Sequence, residues 1–147
     1  MREPTRDKPP QPIDSEPNEQ RQQELEKRYQ DNVGPDNGGQ RPPYAGVPIQ
    51  TRGELLWVMK QRDWSGEIDR GLKQRPDLRG AELGGIVLGD INLNGADLSD
   101  AHLGGAYLHG ANLFMVNLAN ADLRRANLSE AFLPGADLSL IHISEPT

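Results

Sequence analysis

The sequence predicts an all-β solenoid, preceded by a short α-helical cap and a disordered N-terminal tail. Three observations carry this prediction. Leucine recurs every five residues from Leu78 to Leu138, thirteen times without a gap. Residues 51–75 combine helix-start chemistry with a compact apolar cluster. Residues 1–50 hold nine of the twelve prolines, many Gln and Glu, and few large apolar side chains.

The tail, 1–50, has too little apolar surface to offset the entropy of ordering it, so the composition predicts disorder. Within it, residues 18–31 allow only a fleeting helix. A Glu24–Arg28 pair would support that helix by about 0.2–0.5 kcal/mol. The run RPPYAGVP (41–48) reads as an extended linker.

Residues 51–75 change character. Thr51-Arg52-Gly53-Glu54 fits a capping box, with Thr51 accepting from the Glu54 amide and Glu54 reaching back to the Thr51 amide. The apolar run Leu55-Leu56-Trp57-Val58-Met59 comes at once, where a helix should begin. A second short helix is expected after Ser65, with Ile68 and Leu72 on one face, ending before Pro76. Two such short helices with no net positive charge make a poor DNA reader. They suit a lid over the leucine-repeat segment, with Leu55, Leu56, Trp57 and Met59 as its apolar contacts.

Residues 76–140 form the repeat. Alanine stands two residues before nine of the thirteen leucines, Asp or Asn usually lies between, and Gly, Ser, Asn, Asp or Arg mostly come after. A period of five is neither helical nor flat-strand. On a helix the leucines would spread around the axis, and on a strand they would alternate faces. Something must reset the chain direction in every unit. A short extended piece points Ala and Leu inward and Asp/Asn outward, and the next two residues turn the chain. The inward leucines are Leu78, Leu83, Leu88, Leu93, Leu98, Leu103, Leu108, Leu113, Leu118, Leu123, Leu128 and Leu133.

The run GADLSDAHLGGAYLHGANLF resembles the pentapeptide-repeat family, whose consensus is A-(D/N)-L-x-x. The resemblance covers 76–140. It implies a right-handed quadrilateral β-helix with four units per coil, hence about three coils and a height of about 15 Å. Open ends of such a solenoid expose apolar core and unpaired strand edges, so caps matter. Self-association through an uncapped C-terminal end is one expectation.

Charge and composition exclude several functions. The chain has no cysteine, which removes thiol nucleophiles, thiolate metal sites and disulfides, and fits a reducing, cytoplasmic setting. Its longest apolar run is far too short to span a membrane, and no secretory signal opens the chain. Net charge is −6. Residues 1–75 balance thirteen basic against thirteen acidic side chains, whereas 76–140 carry three basic and eight acidic. Direct nucleic-acid binding is therefore not expected.

Residues twenty apart should stack. Asp77, Asp97 and Asp137, with Asn117 between and Asp100 beside, would form an acidic ladder. The resemblance brings an alternative function with it, because some family members inhibit DNA gyrase by imitating DNA and some confer quinolone resistance. B-DNA carries a charge per about 1.7 Å, so about nine would fall within 15 Å. Here eight acidic residues are spread over four faces. Phe114, Met115 and Phe132, all predicted outward on one face, form the candidate protein interface. His109 is expected near Asp90, as a solvated surface pair. His102, His109 and His142 have no metal-ligand spacing, and no Ser/His/Asp set recurs on one face. The reading is a non-enzymatic scaffold without cofactor or metal, working through an unidentified protein partner.

The end of the chain breaks the pattern. Ile141 and Ile143 fall in phase at inward positions, yet the small residues vanish. Leu138 to Thr147, LSLIHISEPT, resembles the translation of a transposon-type sequencing-library adapter. Residues 141–147 are thus expected to be a non-native or disordered tail.

Overall fold

The computed structural model describes residues 10–33, 42–62 and 75–143. The predicted second helix after Ser65 lies outside them, as do residues 144–147. Two helices are described, α1 (Glu19–Val33) and α2 (Arg52–Gln61). Neither is long and apolar enough to cross a membrane.

The repeat array is a β-helical solenoid. Its pairings are isolated parallel bridges one residue wide, and from Asp77↔Asp97 to Asp122↔His142 each joins residues twenty apart. Twenty residues are four five-residue units, so each turn of the coil is four-sided. Every contact with the next coil repeats one scheme. Leu83 N–H donates to His102 O (2.7 Å), Gly85 N–H to Gly104 O (2.8 Å), and His102 N–H returns to Ala81 O (2.9 Å). Per unit, the leucine and the residue two after it donate upward, and the residue before the leucine donates downward.

Each corner is a hydrogen-bonded turn from the leucine carbonyl to the amide three residues on, as in Ala101 N–H to Leu98 O (3.1 Å). The third turn residue lies in the left-handed region in every unit, from Gly80 (φ 69) to Leu140 (φ 56). That single positive φ is the type II pattern. It explains the glycines at 85, 95, 105, 110 and 135. It also means that Asp90, Asp100, Met115, Asn120, Arg125, Glu130 and Leu140 hold a conformation that L-residues resist.

The inward leucines pack as expected through most of the array. Leu78 to Leu123 are buried, Leu128 and Leu133 half-buried, and Leu138 is 42% exposed. Ile141–Ile143 depart from the disorder expected of them. Leu123 N–H donates to His142 O (2.7 Å) and His142 N–H to Ala121 O (2.9 Å), so the ladder continues. The fit is poor in side chains, with Leu140 80% and Ile143 65% exposed.

The N-terminal part differs most from expectation. Glu19–Val33 is helical, and Leu25 is fully buried. Its ion pairs are Arg21–Glu24 and Lys27–Asp31, not the anticipated Glu24–Arg28. The expected linker is also ordered, with Tyr44, Val47 and Ile49 in the core. Few apolar residues suffice here because they converge on one place and ion pairs fix the rest. Arg21 Nε meets Glu54 Oε1 at 3.0 Å, and Glu54 is buried on α2. The Arg62 guanidinium lies 3.3 Å over the Tyr29 ring and pairs with Glu26. Gly53 donates its amide to Ile13 O (2.7 Å), and any Cβ at Gly53 would collide with the Ser15 backbone.

Thr51 caps α2, its hydroxyl accepting from the Glu54 amide at 3.1 Å. The reciprocal half of the box is shifted by one residue, because Glu54 accepts from the Gln50 amide (2.9 Å) rather than from Thr51. Leu55, Trp57, Val58 and Met59 join the core cluster that includes the array's leucines, but Leu56 is 39% exposed and does not.

Candidate functional site: the outer faces of the coil

The Asp/Asn position has a structural task. Its side-chain oxygen accepts from the backbone amide two residues on, closing an Asx turn at the corner. Examples are Asn92 to Asn94 N (3.1 Å), Asp97 to Ser99 N (3.0 Å), Asn112 to Phe114 N (3.1 Å) and Asn127 to Ser129 N (2.9 Å). Asp and Asn serve alike, so the bond does not need a charge.

The acidic ladder exists as geometry. Asp77, Asp97, Asn117 and Asp137 succeed one another through parallel bridges. Its charge is largely engaged. Arg79 grips Asp77 with two bonds of 2.8 Å and comes within 4.0 Å of Asp97. Asp97 and Asp137 each also accept from a serine hydroxyl, Ser99 (2.7 Å) and Ser139 (2.6 Å). The hydroxyl and amide of Ser139 hold the Asp137 carboxyl below its ordinary range. Asp100 sits at a left-handed corner and accepts from Asn120 Nδ2 (2.6 Å). On the next face Arg124 chelates Asp122 (2.9 and 2.7 Å) and drives its pKa far down.

The apolar face is formed largely as expected. Phe132 is 55% and Met115 42% exposed, while Phe114 is half-buried. Phe114 and Phe132 stack with centroids 6.2 Å apart at 19°. They come from different positions of units one coil apart, one just after its leucine and one just before, so the contact runs diagonally.

His109 does not pair with Asp90. Its Nδ1 lies 2.8 Å from Ser129 Oγ and its Nε2 3.5 Å from Glu130 Oε2. Residue 109 stacks directly on 129, one coil on, whereas Asp90 belongs to the adjacent column with Gly110. The Ser–His–Glu grouping does not activate the serine. Ser129 Oγ donates its only proton to Asn127 Oδ1 (2.6 Å), so His109 Nδ1 must itself carry hydrogen. Among the described residues, no cluster of three or more His, Asp or Glu side chains could hold a metal ion.

Sequence reading missed the role of 42–49. Val47 N–H donates to Tyr44 O (2.9 Å) and Gly46 has φ 69, which is the array's corner. Pro48 bridges Glu82 in parallel. Tyr44 and Ile49 therefore occupy leucine positions, five apart. The available signal was that spacing, with glycine at the corner between them.

A four-sided coil of five-residue units with Asx turns at its corners defines a class of β-helical repeat protein. Residues 77–114 and 103–139 match the pentapeptide-repeat family, in eight copies, and this array belongs to that family. No curated protein sequence matches the chain. Among solved structures it is similar to HetL, a pentapeptide-repeat protein involved in heterocyst differentiation regulation from the cyanobacterium Nostoc. The identity is 32% and the TM-score 0.29, over 44% of this chain and 33% of that one. It is similar also to a pentapeptide-repeat protein from the cyanobacterium Cyanothece, with 34% identity and a TM-score of 0.25 over 46% and 43%. A thylakoid-lumen pentapeptide-repeat protein of Arabidopsis thaliana shows 26% identity and a TM-score of 0.29 over 54% and 61%. The chain thus spans a third to under half of the first two.

Proposed function

We propose that this chain is a non-enzymatic scaffold that holds a protein partner on one face of a right-handed quadrilateral coil of about three turns. The observation that carries the reading is the stacked, exposed Phe114–Phe132 pair with Met115 beside it. Large apolar side chains on an otherwise polar, convex surface suit binding, not chemistry. In this reading Leu55, Trp57 and Met59 of α2 cap the N-terminal end, and the protein works in the cytoplasm. Phe114→Ser and Phe132→Ser are expected to weaken partner capture or self-association without unfolding the array. Unchanged light scattering and unchanged pull-down for both variants would sink the apolar-face reading.

DNA mimicry of a gyrase substrate is the second reading, favoured by the Asp77–Asp97–Asp137 column. The Asx turns and the arginine pairs at Asp77 and Asp122 weigh against it. Inhibition of gyrase supercoiling at micromolar protein would reverse that preference.

A further inference from the structure

Sheet edges invite pairing, and a solenoid's first coil is such an edge. In this protein one of its four sides, at 80–83, is covered by a degenerate piece of the same repeat. Val47 O accepts from Glu82 N–H (3.2 Å) and Ile49 N–H donates to Glu82 O (3.0 Å). These are the bonds that His102 makes to the same unit from the other side, with Val47 and Ile49 in the alanine and leucine roles. The segment is therefore one more row of the ladder.

Its outward side has lost the groups that a further row would need. From Asp97 onward, the residue before each leucine donates its amide to the preceding coil, and through Leu123 N–H to His142 O that coil donates back to its carbonyl. At 42–49 both such residues are prolines, Pro43 and Pro48, which have no amide hydrogen. Their carbonyls are occupied. Asn32 Nδ2 donates to Pro43 O (2.9 Å) and Arg21 Nη2 to Pro48 O (2.7 Å), both from α1. Arg52 Nη1 meets Gly89 O (2.5 Å), a carbonyl that elsewhere accepts from the coil below.

We propose that residues 42–49, with α1 beneath them, form an edge stopper that prevents a second copy of this chain from adding head-to-tail to the N-terminal end. A second copy would bring the amides that coils of the array donate to the next, as Leu83 does to His102 O and Gly85 to Gly104 O. The proposal stands apart from the Phe114–Phe132 reading, which concerns a side face.

The test uses the full chain. Pro43→Thr and Pro48→Thr restore the outward donors, and Arg21→Ala with Asn32→Ala bares the acceptors. Pro48→Thr alone is the mildest version. Sedimentation should show mass at least doubling with concentration relative to wild type for the fourfold variant, and a smaller rise for Pro48→Thr. Hydrogen exchange at the amides restored at positions 43 and 48 should slow about tenfold in the assembled fraction. Three results would overturn the proposal. Mass could stay at the wild-type value in both variants. Assemblies could form while the amides at 43 and 48 exchange as they do in the unassembled fraction. Or Leu103→Ala, which weakens the core and leaves the stopper intact, could assemble equally.

Discussion

Gly84 and Gly85 are neighbours in one corner, yet replacing each by alanine should shift stability in opposite directions. Only Gly85 lies in the left-handed region, at φ 68. A Cβ at Gly84 would meet Gly104 O at 3.6 Å, an ordinary contact, and a Cβ at Gly85 would meet nothing within 4 Å. Crowding therefore plays no part, and the difference is conformational. Both substitutions restrict the unfolded chain and gain about 0.4–1 kcal/mol from that alone. Gly85→Ala also acquires the left-handed penalty, about 1–2 kcal/mol. Gly84→Ala should accordingly stabilise by about 0.5 kcal/mol and Gly85→Ala destabilise by about 1 kcal/mol. The unfolded-state gain is common to both and cancels in the comparison, leaving the corner strain. Melting monitored by circular dichroism should separate the two variants by about 3–8 °C. Equal shifts, or a larger loss at Gly84, would place the left-handed residue elsewhere and refute the corner geometry.

Other substitutions probe the same structure. Leu103→Ala should cost about 2–5 kcal/mol in urea denaturation, whereas Leu138→Ala, already 42% exposed, should cost under about 1 kcal/mol. Arg21→Ala leaves the buried Glu54 carboxylate without its guanidinium. The loss should be about 2–3 kcal/mol, below the fully buried limit because Arg21 is partly exposed, and Glu54→Gln in the same chain should recover part of it. The Asp122 carboxyl is depressed chiefly by Arg124's side-chain bonds, so its contribution is present above the unfolded value near pH 3.9 and disappears as pH falls below that. Melts between pH 6 and pH 2 should show a shallower acid loss in Asp122→Asn than in wild type, since Asn still closes the turn. An identical acid slope would remove Asp122 from the account.

The array was legible because its physics repeats. A five-residue leucine period admits neither helix nor flat strand, and thirteen copies fix the phase. The corner was partly legible through its glycines, but Met115, Arg125 and Leu140 show that strain is tolerated when neighbouring units hold the turn. The segment 42–49 was not legible as repeat. It supplies only two units, out of phase with the leucines at 78 onward, and proline replaces the Asp/Asn signature. Helix α1 was hidden by composition. Leu25 and Tyr29 are its main apolar contacts, and Arg21, Glu54 and Arg62 fix it in place through pairings that no periodicity reveals. The apolar face was legible as residues but not as a contact, since Phe114 and Phe132 meet only across coils.

The twenty-residue register underlies every face, ladder and edge of the coil, and it can be measured directly because the chain has no cysteine. Asn92 and Asn112 are bridged in parallel, so their Cα atoms lie within disulfide reach. Mild oxidation of Asn92→Cys/Asn112→Cys should close a cross-link rapidly, while Asn92→Cys/Tyr107→Cys, one side of the coil away, should stay reduced. Preferential closure of the 92–107 pair, or of neither, would contradict the four-sided coil.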